Sequence, residues 1–401
     1  MVKALLAGGK RRWKVIGRVR NMPRNREEVI RKINNLSDEF FRKLYRMDRP
    51  TFNWLLEKIR PRFEKKKGRR GGDSIRQGEN SSSEFIDPMI RLAVTLRFLA
   101  GGSYLDLAFG YHISYKHVTL YCFQVMEYVD DILDNIKFPL ENEAALRELE
   151  QGFLKISDGA FIGTVAAGDG VVFRMEKPAF EEVSGDVSSF FTRKGFYAYG
   201  MQGFVDSKCR FLSISMNLCS SVHDSTAYYV SSLSQAIRDG KLPSWAHIVL
   251  DEAYVNRQQE LSPFKGKNLD IWKDSFNYHL SLHRQCVERA FGILVQRWGI
   301  FWRPIRVRFD RRPLLIRVAC KLHNLCIDMM GSSVPGVVRS DIRPGDSASI
   351  LWSDGTDGLY RGRRSDLENT NTRDFLVNRL RNLGKTRPAH SMFSRVQVPR
   401  I

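Results

Sequence analysis

The sequence predicts an α/β protein in which an all-helical N-terminal region precedes a domain of mixed strands and helices. Three observations predict it. Apolar residues recur at helical spacing between 36 and 135. From about 160 the pattern changes to short β-branched runs punctuated by turns. In that second half four acids, Asp169, Asp224, Asp251 and Glu288, interrupt apolar or small-residue surroundings, where burying a lone charge is costly enough to need a reason.

The chain has 401 residues, enough for two or three domains, and its 43% hydrophobic content is that of a folded protein. No apolar run approaches the roughly 18–20 residues that cross a bilayer, so no membrane partner is expected. The opening MVKALLAGG is too short an apolar patch for a signal peptide and runs directly into basic residues, which points to a soluble intracellular protein. The six cysteines (Cys122, Cys209, Cys219, Cys286, Cys320 and Cys326) form no C-x-x-C pair. They suit a reducing compartment, as small buried hydrophobes.

The net charge is +20, and residues 1–70 hold 23 Lys and Arg against 7 Asp and Glu. Such a concentration attracts polyanions through counterion release. Two runs flank a helical stretch: Lys10-Arg11-Arg12, and Lys65, Lys66, Lys67, Arg69 and Arg70 around Gly68. They point to nucleic-acid contact or nuclear import, with a solvated tail as the alternative.

Element by element, residues 1–35 read as a flexible basic arm and 36–135 as the helical region. Its first helix starts at Ser37, followed by Asp38 and Glu39, and Pro50 separates it from a second. Phe40, Leu44, Met47, Phe52, Leu55, Leu56 and Ile59 supply the inward face. Residues 65–83 are polar and glycine-rich, a linker or loop. A further block ends in a short helix (103–109), a turn, and a helix over 115–129 capped by Ser114. That is a helix-turn-helix layout, whose second helix would present Ser114, Tyr115, Lys116, His117 and Thr119 to a DNA groove. Helical hairpins that only pack share the same outline.

Residues 160–330 read as the second domain. FIGTVAAGDGVVFRME is a strand, FYAYGMQGFVDSKCRFLSISMNLC two strands around Asp206-Ser207-Lys208, 224–240 a helix, and AHIVLDEAY a buried strand. Long helices follow over 278–298 and 313–329. Three antiparallel strands, a crossover helix, a parallel strand and then helices is an RNase H-like order. The tail, 331–401, is irregular apart from a short helix near 373–383.

Phosphodiester chemistry needs three or four acids converging from separate elements, because hard divalent ions take oxygen ligands and a pair of them can stabilise attacking and leaving oxygens. Asp169 lies in the first strand between Gly168 and Gly170, whose small size leaves room for a metal and a phosphate. Asp224 opens the crossover helix, Asp251 ends the parallel strand, and Glu288 lies on the long helix beside Ala290 and Gly292. Each also has a plainer role: a turn residue, a helix cap, a strand end, and for Glu288 a pair with Arg284 or Arg289 on a solvated face.

Taken with FFTRKGFYAYGMQGFVDSKCRFL, SSVHDS, VLDEAY, VERAFGILVQRW and CKLHNLC, the chain from about 40 to 330 resembles the PIF/Harbinger superfamily of DDE transposases and their domesticated nuclease-like relatives. RLAVTLRFLAGGSYLDLAFGYHIS is similar to that family's helix-turn-helix region. The resemblance implies an RNase H-like catalytic domain and Mg²⁺- or Mn²⁺-dependent cleavage and transfer of DNA strands. It places the catalytic acids at Asp169, Asp251 and Glu288, with Asp224 as a further metal ligand. It also implies DNA-backbone contact by Arg193 and Lys194, with a solvated strand edge as the alternative, and a Myb-like DNA-binding accessory protein. His323 and Asn324 match the family's Leu-His-Asn motif and read as a satisfied core pair. Work in the nucleus and homo-oligomers are expected as well. The chain departs from the family where GDGVVFRMEKP replaces Thr-His or Cys-His after Asp-Gly, and where Asn217-Leu218-Cys219 replaces Trp-Pro-Gly.

Overall fold

The structure, a computed structural model, describes residues 25–64, 86–216, 221–266, 268–331 and 370–389. The basic run from Lys65 to Arg70, the arm before residue 25 and the replaced segment 217–219 lie outside the described residues. Helix α1 (Arg26–Asn34) falls within the stretch expected to be a flexible arm. Val29 and Ile33, one turn apart, are buried and hold it down. In α2 (Asp38–Tyr45) the Ser37 side chain accepts the Phe40 N–H, the cap the sequence predicts. The buried face carries Phe41 and Tyr45, whereas Phe40, expected inside, is 52% exposed. Pro50 does not separate the helices. It lies in the first turn of α3 (Arg49–Glu64), where its missing N–H costs nothing. The break falls at Arg46, in the left-handed region at φ 62.

Helices α4 (Pro88–Leu99), α5 (Tyr104–Gly110) and α6 (Tyr115–Ile132) follow. Ser114 occupies the N-cap position of α6 but makes no capping bond with its side chain. An additional helix, α7 (Glu143–Ile156), leads into the sheet.

Five strands form that sheet: β1 (Thr164–Arg174), β2 (Ala198–Val205), β3 (Phe211–Ser215), β4 (His247–Val249) and β5 (Glu260–Leu261), in the order β3-β2-β1-β4-β5. β1 to β3 are antiparallel neighbours, while β4 runs parallel to β1, and β5 to β4. The strand directions are those expected, with a short fifth strand added. The crossover is not one helix over 224–240. It breaks into α8 (Asp224–Tyr229) and α9 (Ser232–Arg238), because the Ser231 hydroxyl accepts the Ser234 N–H and restarts the helix. The strand expected over 246–254 pairs only as the three residues of β4.

α10 (Ile271–Arg297) starts seven residues earlier than its apolar periodicity suggests, capped by Asp270. α11 (Arg312–Met330) and α12 (Asn371–Asn382) complete the described chain. Ala167, Val171 and Phe173 of β1 pack with α10, α11 and the N-terminal helices in one continuous core. Val165 and Ala166 join Leu146, Phe204, Tyr228, Leu233 and Ile237 in a second core on the opposite face. The helical region thus shares its core with the sheet. Asp130 of α6 ties the two together, accepting Arg317 Nη2 at 2.7 Å and pairing with Lys321 Nζ at 2.8 Å, both on α11.

His323 and Asn324 are both buried, and each bonds a backbone group of its own. Asn324 Oδ1 accepts the Phe211 N–H and its Nδ2 donates to the Phe211 carbonyl, both at 2.8 Å, so a side chain stands in for a neighbouring strand beside β3. His323 Nε2 lies 2.8 Å from the Cys209 carbonyl. Thr164 Oγ1 is shared by His247 Nε2 at 3.0 Å and His283 Nδ1 at 3.1 Å. Burial pushes His247, His283 and His323 down to about 3, and His279 to about 4.

Below the ordinary imidazole value of 6.5 the unfolded chain therefore takes up protons that the folded chain refuses. Their contribution to stability is complete above pH 6.5 and is lost as pH falls towards the folded values. Urea midpoints measured from pH 7 to 4 should decline throughout this window, and a His323→Gln variant should decline less steeply. A midpoint unchanged across it contradicts the assignment.

Candidate active site

By strand alternation Asp169 shares a face with Ala167 and Val171 and looks towards α10. Its Oδ1 accepts the Gly170 N–H at 2.8 Å. That bond turns Oδ2 towards Arg284, whose Nη2 lies 3.0 Å away. Asp251 comes from the loop just past β4, and its Oδ1 lies 3.0 Å from the other terminal nitrogen, Nη1. Glu288, one helical turn beyond Arg284 on α10, approaches Nη2 at 3.7 Å. Three carboxylates from three elements thus converge on one guanidinium. When all are ionised, three negative charges face one positive one.

That imbalance appears in the proton affinities. Burial lifts Asp169 to about 7, and the Asp251 and Asp224 charges add to it, against Arg284 and the Gly170 N–H. Glu288 is raised by burial and by Asp251, with Arg284 opposing. Burial disfavours the charged form of Arg284, but Asp169, Asp251 and Glu288 outweigh it, so the guanidinium is held more firmly protonated than usual. One cation keeps the cluster together without fully neutralising it.

Asp224 is gathered differently. Its Oδ1 accepts Gln202 Nε2 at 2.9 Å, and Gln202 Oε1 accepts the buried Tyr254 hydroxyl at 2.6 Å. Gln202 pairs with Gly170 across β1 and β2. A Cβ on Gly170 would lie 2.2 Å from Asp224 Oδ1. Asp224 therefore sits over the Gly170 backbone on the sheet face opposite Asp169, near enough for its charge to raise Asp169. The Tyr254 hydroxyl is held well above its ordinary value, by burial and then by Asp224, Asp169 and Asp251.

The glycines beside Asp169 do not leave a void for metal and phosphate. Gly170 makes way for Asp224, and a Cβ on Gly168 would lie 2.3 Å from the Phe204 ring. Glu288 does pair with Arg284, yet the pair is not on a solvated face, since the Arg284 side chain is only 14% exposed.

As for a metal, Asp169, Asp251 and Glu288 fit a hard divalent ion in donor type, in surplus charge and in sharing one cationic centre. Their spacing is set by the guanidinium instead: among the described residues no group of three or more His, Cys, Asp or Glu is disposed to hold a metal ion.

The residues that sequence reasoning passed over are Arg284 as the centre of the cluster, and Gln202 with Tyr254 as the mount for Asp224. The spacing of Arg284 to Glu288 was visible. Its convergence with Asp169 and Asp251, 115 residues from Arg284 in the first case, was not.

Of the expected DNA-contacting residues, Arg193 and Lys194 are exposed on the hairpin before β2, and Arg193 Nη2 lies 2.9 Å from His223 Nε2, beside Asp224. Tyr115, Lys116 and His117 are exposed in the first turn of α6. Lys65, Lys66, Lys67, Arg69 and Arg70 lie outside the described residues. No helix among the described residues is long and apolar enough to cross a membrane.

Residues 168–324, which contain all four acids, match the family model of the DDE superfamily endonucleases. Protein ALP1-like of Arabidopsis thaliana is 24% identical over 309 residues, covering 72% of this chain and 71% of that protein. No solved structure matches the chain.

The fit of Asp224 against Gly170 is testable. Gly170→Ala should destabilise the protein by about 1–3 kcal/mol, the cost of overpacking a tight contact. Asp224→Gly in the same chain should recover part of that loss, and urea denaturation of the two single variants and the double variant measures the coupling. Strict additivity would place Asp224 elsewhere.

Proposed function

With a DDE superfamily endonuclease domain over residues 168–324 as its core, we propose that this protein is a metal-dependent DNA endonuclease of the transposase kind, which cleaves and transfers phosphodiester strands. The single observation that carries the reading is the convergence of Asp169, Asp251 and Glu288 from a strand, a strand-end loop and a helix on one cationic centre. A protein that used these acids only as surface groups or caps has no reason to gather them around one shielded arginine.

In this reading Asp169, Asp251 and Glu288 hold the divalent ion, Mg²⁺ or Mn²⁺, with Asp224 as an auxiliary acid. A divalent ion held there would supply activation of an attacking water or hydroxyl and stabilisation of the departing oxygen. The chain's own contribution is placement. The Gly170 N–H fixes one oxygen of Asp169 and aims the other at the shared centre. Gln202 and Tyr254 fix Asp224. Arg193 and Lys194, exposed beside His223, contact the DNA backbone next to the acids, and Tyr115, Lys116 and His117 of α6 contact DNA as a helix-turn-helix. The basic run Lys65–Lys67 with Arg69 and Arg70 adds affinity for the duplex and directs the chain to the nucleus. A Myb-like accessory protein and a homo-oligomer belong to the same reading, on the strength of the resemblance alone.

A second reading is favoured by one specific observation. Arg284 bridges the acids in place of a metal, as in a DNA-binding descendant of a transposase whose catalysis has lapsed. The two readings separate in one assay. Supercoiled and terminal-repeat DNA incubated with the protein and Mn²⁺ or Mg²⁺ should be nicked. Asp169→Ala should lose at least about a hundredfold of that rate, or about 2.7 kcal/mol of transition-state stabilisation. Salt-sensitive DNA binding that survives loss of all four acids, with no nicking under either metal, establishes the lapsed form instead.

A further inference from the structure

We infer that the hairpin before β2 is a base-stacking platform, on which Phe191 takes an unpaired nucleotide of DNA while Arg193 and Lys194 hold the phosphates beside it. The inference rests on the DNA-acting reading above and names the DNA structure which that reading leaves open. Three features carry it.

The first is an aromatic ring placed in water. Phe190 and Phe191 are neighbours that the fold treats differently. The Phe190 ring packs 4.8 Å from that of Phe309 and 6.5 Å from that of Tyr199. Phe191 is 45% exposed, and so forgoes much of the burial that stabilises an aromatic side chain. Tyr197 stands opposite it across the hairpin, and the two rings meet at 5.0 Å and 64°. The exposed ring is therefore braced by a second one.

The second is that the hairpin is already ordered. Thr192, buried between the exposed Phe191 and Arg193, closes the turn. Its N–H and its hydroxyl both donate to the Phe196 carbonyl, each at 2.9 Å. The Gly195 N–H donates back to the Thr192 carbonyl at 3.0 Å, with Gly195 in the left-handed region at φ 83. Burial of Thr192 sets Phe191 and Arg193 together on the outer side. A platform fixed in advance loses little freedom on binding.

The third is charge. Arg193 and Lys194 follow Phe191 directly, and no acid occurs from 187 to 205. The hairpin is also tied to the segment that leads into Asp224. The Ser189 carbonyl accepts the Ser221 N–H at 3.1 Å, and Arg193 Nη2 lies 2.9 Å from His223 Nε2. A nucleotide complements this trio, offering a flat face to the ring and phosphates to the cations. In a paired duplex each base is covered by its neighbours on both faces. The partner is therefore DNA with unpaired bases, such as a gap, a frayed end or a displaced strand. An apolar protein surface would leave both cations without a counterpart.

The test uses the purified full chain in chelator and fluorescence anisotropy with labelled DNA: a paired duplex, the same duplex interrupted by a run of unpaired thymines, and that probe with the thymines made abasic. The native protein should bind the unpaired thymines about tenfold more tightly than either other probe, within the range of one base–aromatic stack. Phe191→Ala should lose that preference and bind all the probes alike. Phe191→Leu keeps apolar bulk without a π face, so it should behave as the alanine variant does, and it decides the matter if Phe191→Ala does not fold. Phe191→Trp should retain the preference. Arg193→Gln should instead weaken every probe and reduce the salt slope by about 1. A native protein that binds thymine and abasic probes equally overturns the inference, as does a preference that survives in the alanine and leucine variants. Failure to bind any probe overturns it together with the DNA-acting reading. The nuclease reading fails separately, when a protein that shows the preference does not nick DNA in the assay above.

Discussion

The arrangement of this domain turns on the electrostatic demand of three carboxylates gathered around one buried member, Asp169. Asp169 lies in the middle of the central strand, with cores on both sheet faces. Asp251 and Glu288 are brought to it from a neighbouring strand end and from a long helix. An uncompensated set of acids in that place would oppose folding. Arg284 supplies the compensation from one turn before Glu288, and the docking of α10 against β1 and the charge balance of the site are therefore one constraint. A slip of α10 by one turn would leave the acids facing one another without a counter-charge.

The surroundings are built to the same tolerance. Gly168 yields space to Phe204 and Gly170 to Asp224, so the strand carries its acid between two positions where a methyl group does not fit. Gln202 and Tyr254 relay a hydrogen-bonded mount for Asp224 from the adjacent strand and the post-β4 loop. Buried polar groups of this kind are tolerable only when satisfied, which ties Tyr254 in VLDEAY to the same site as Asp251. On the far side of the sheet, Asn324 completes hydrogen bonds beside β3, and Asp130 of α6 ties α11 to the helical region. The N-terminal helices and the sheet share a core, so the exposed residues of α6 are carried on a scaffold continuous with the acids.

Much of this was legible in the sequence. The change from helical to alternating periodicity near 160, the turn at Asp206-Ser207-Lys208, the Ser37 cap and the four acids each depend on local rules. A helix or a strand shows its buried face through spacing that a few neighbouring residues establish. Local rules misled where two neighbouring positions competed, as with Phe40 against Phe41, or where a side chain intercepted a backbone group, as Ser231 does between α8 and α9. The arm expected over residues 1–35 contains α1, because two apolar residues one turn apart suffice when a core lies within reach.

By itself, then, the sequence singled out the four acids: acids in apolar surroundings announce themselves through the cost of burying them. The tertiary structure alone decided how they are partitioned and what neutralises them. It sets Asp224 on one face of β1 and Asp169 on the other, a single residue of strand alternation apart from Gly170, and it turns Arg284 from a helix-surface partner of Glu288 into the centre of three carboxylates. Charges separated by more than a hundred residues interact through distance and dielectric, and both are properties of the folded chain.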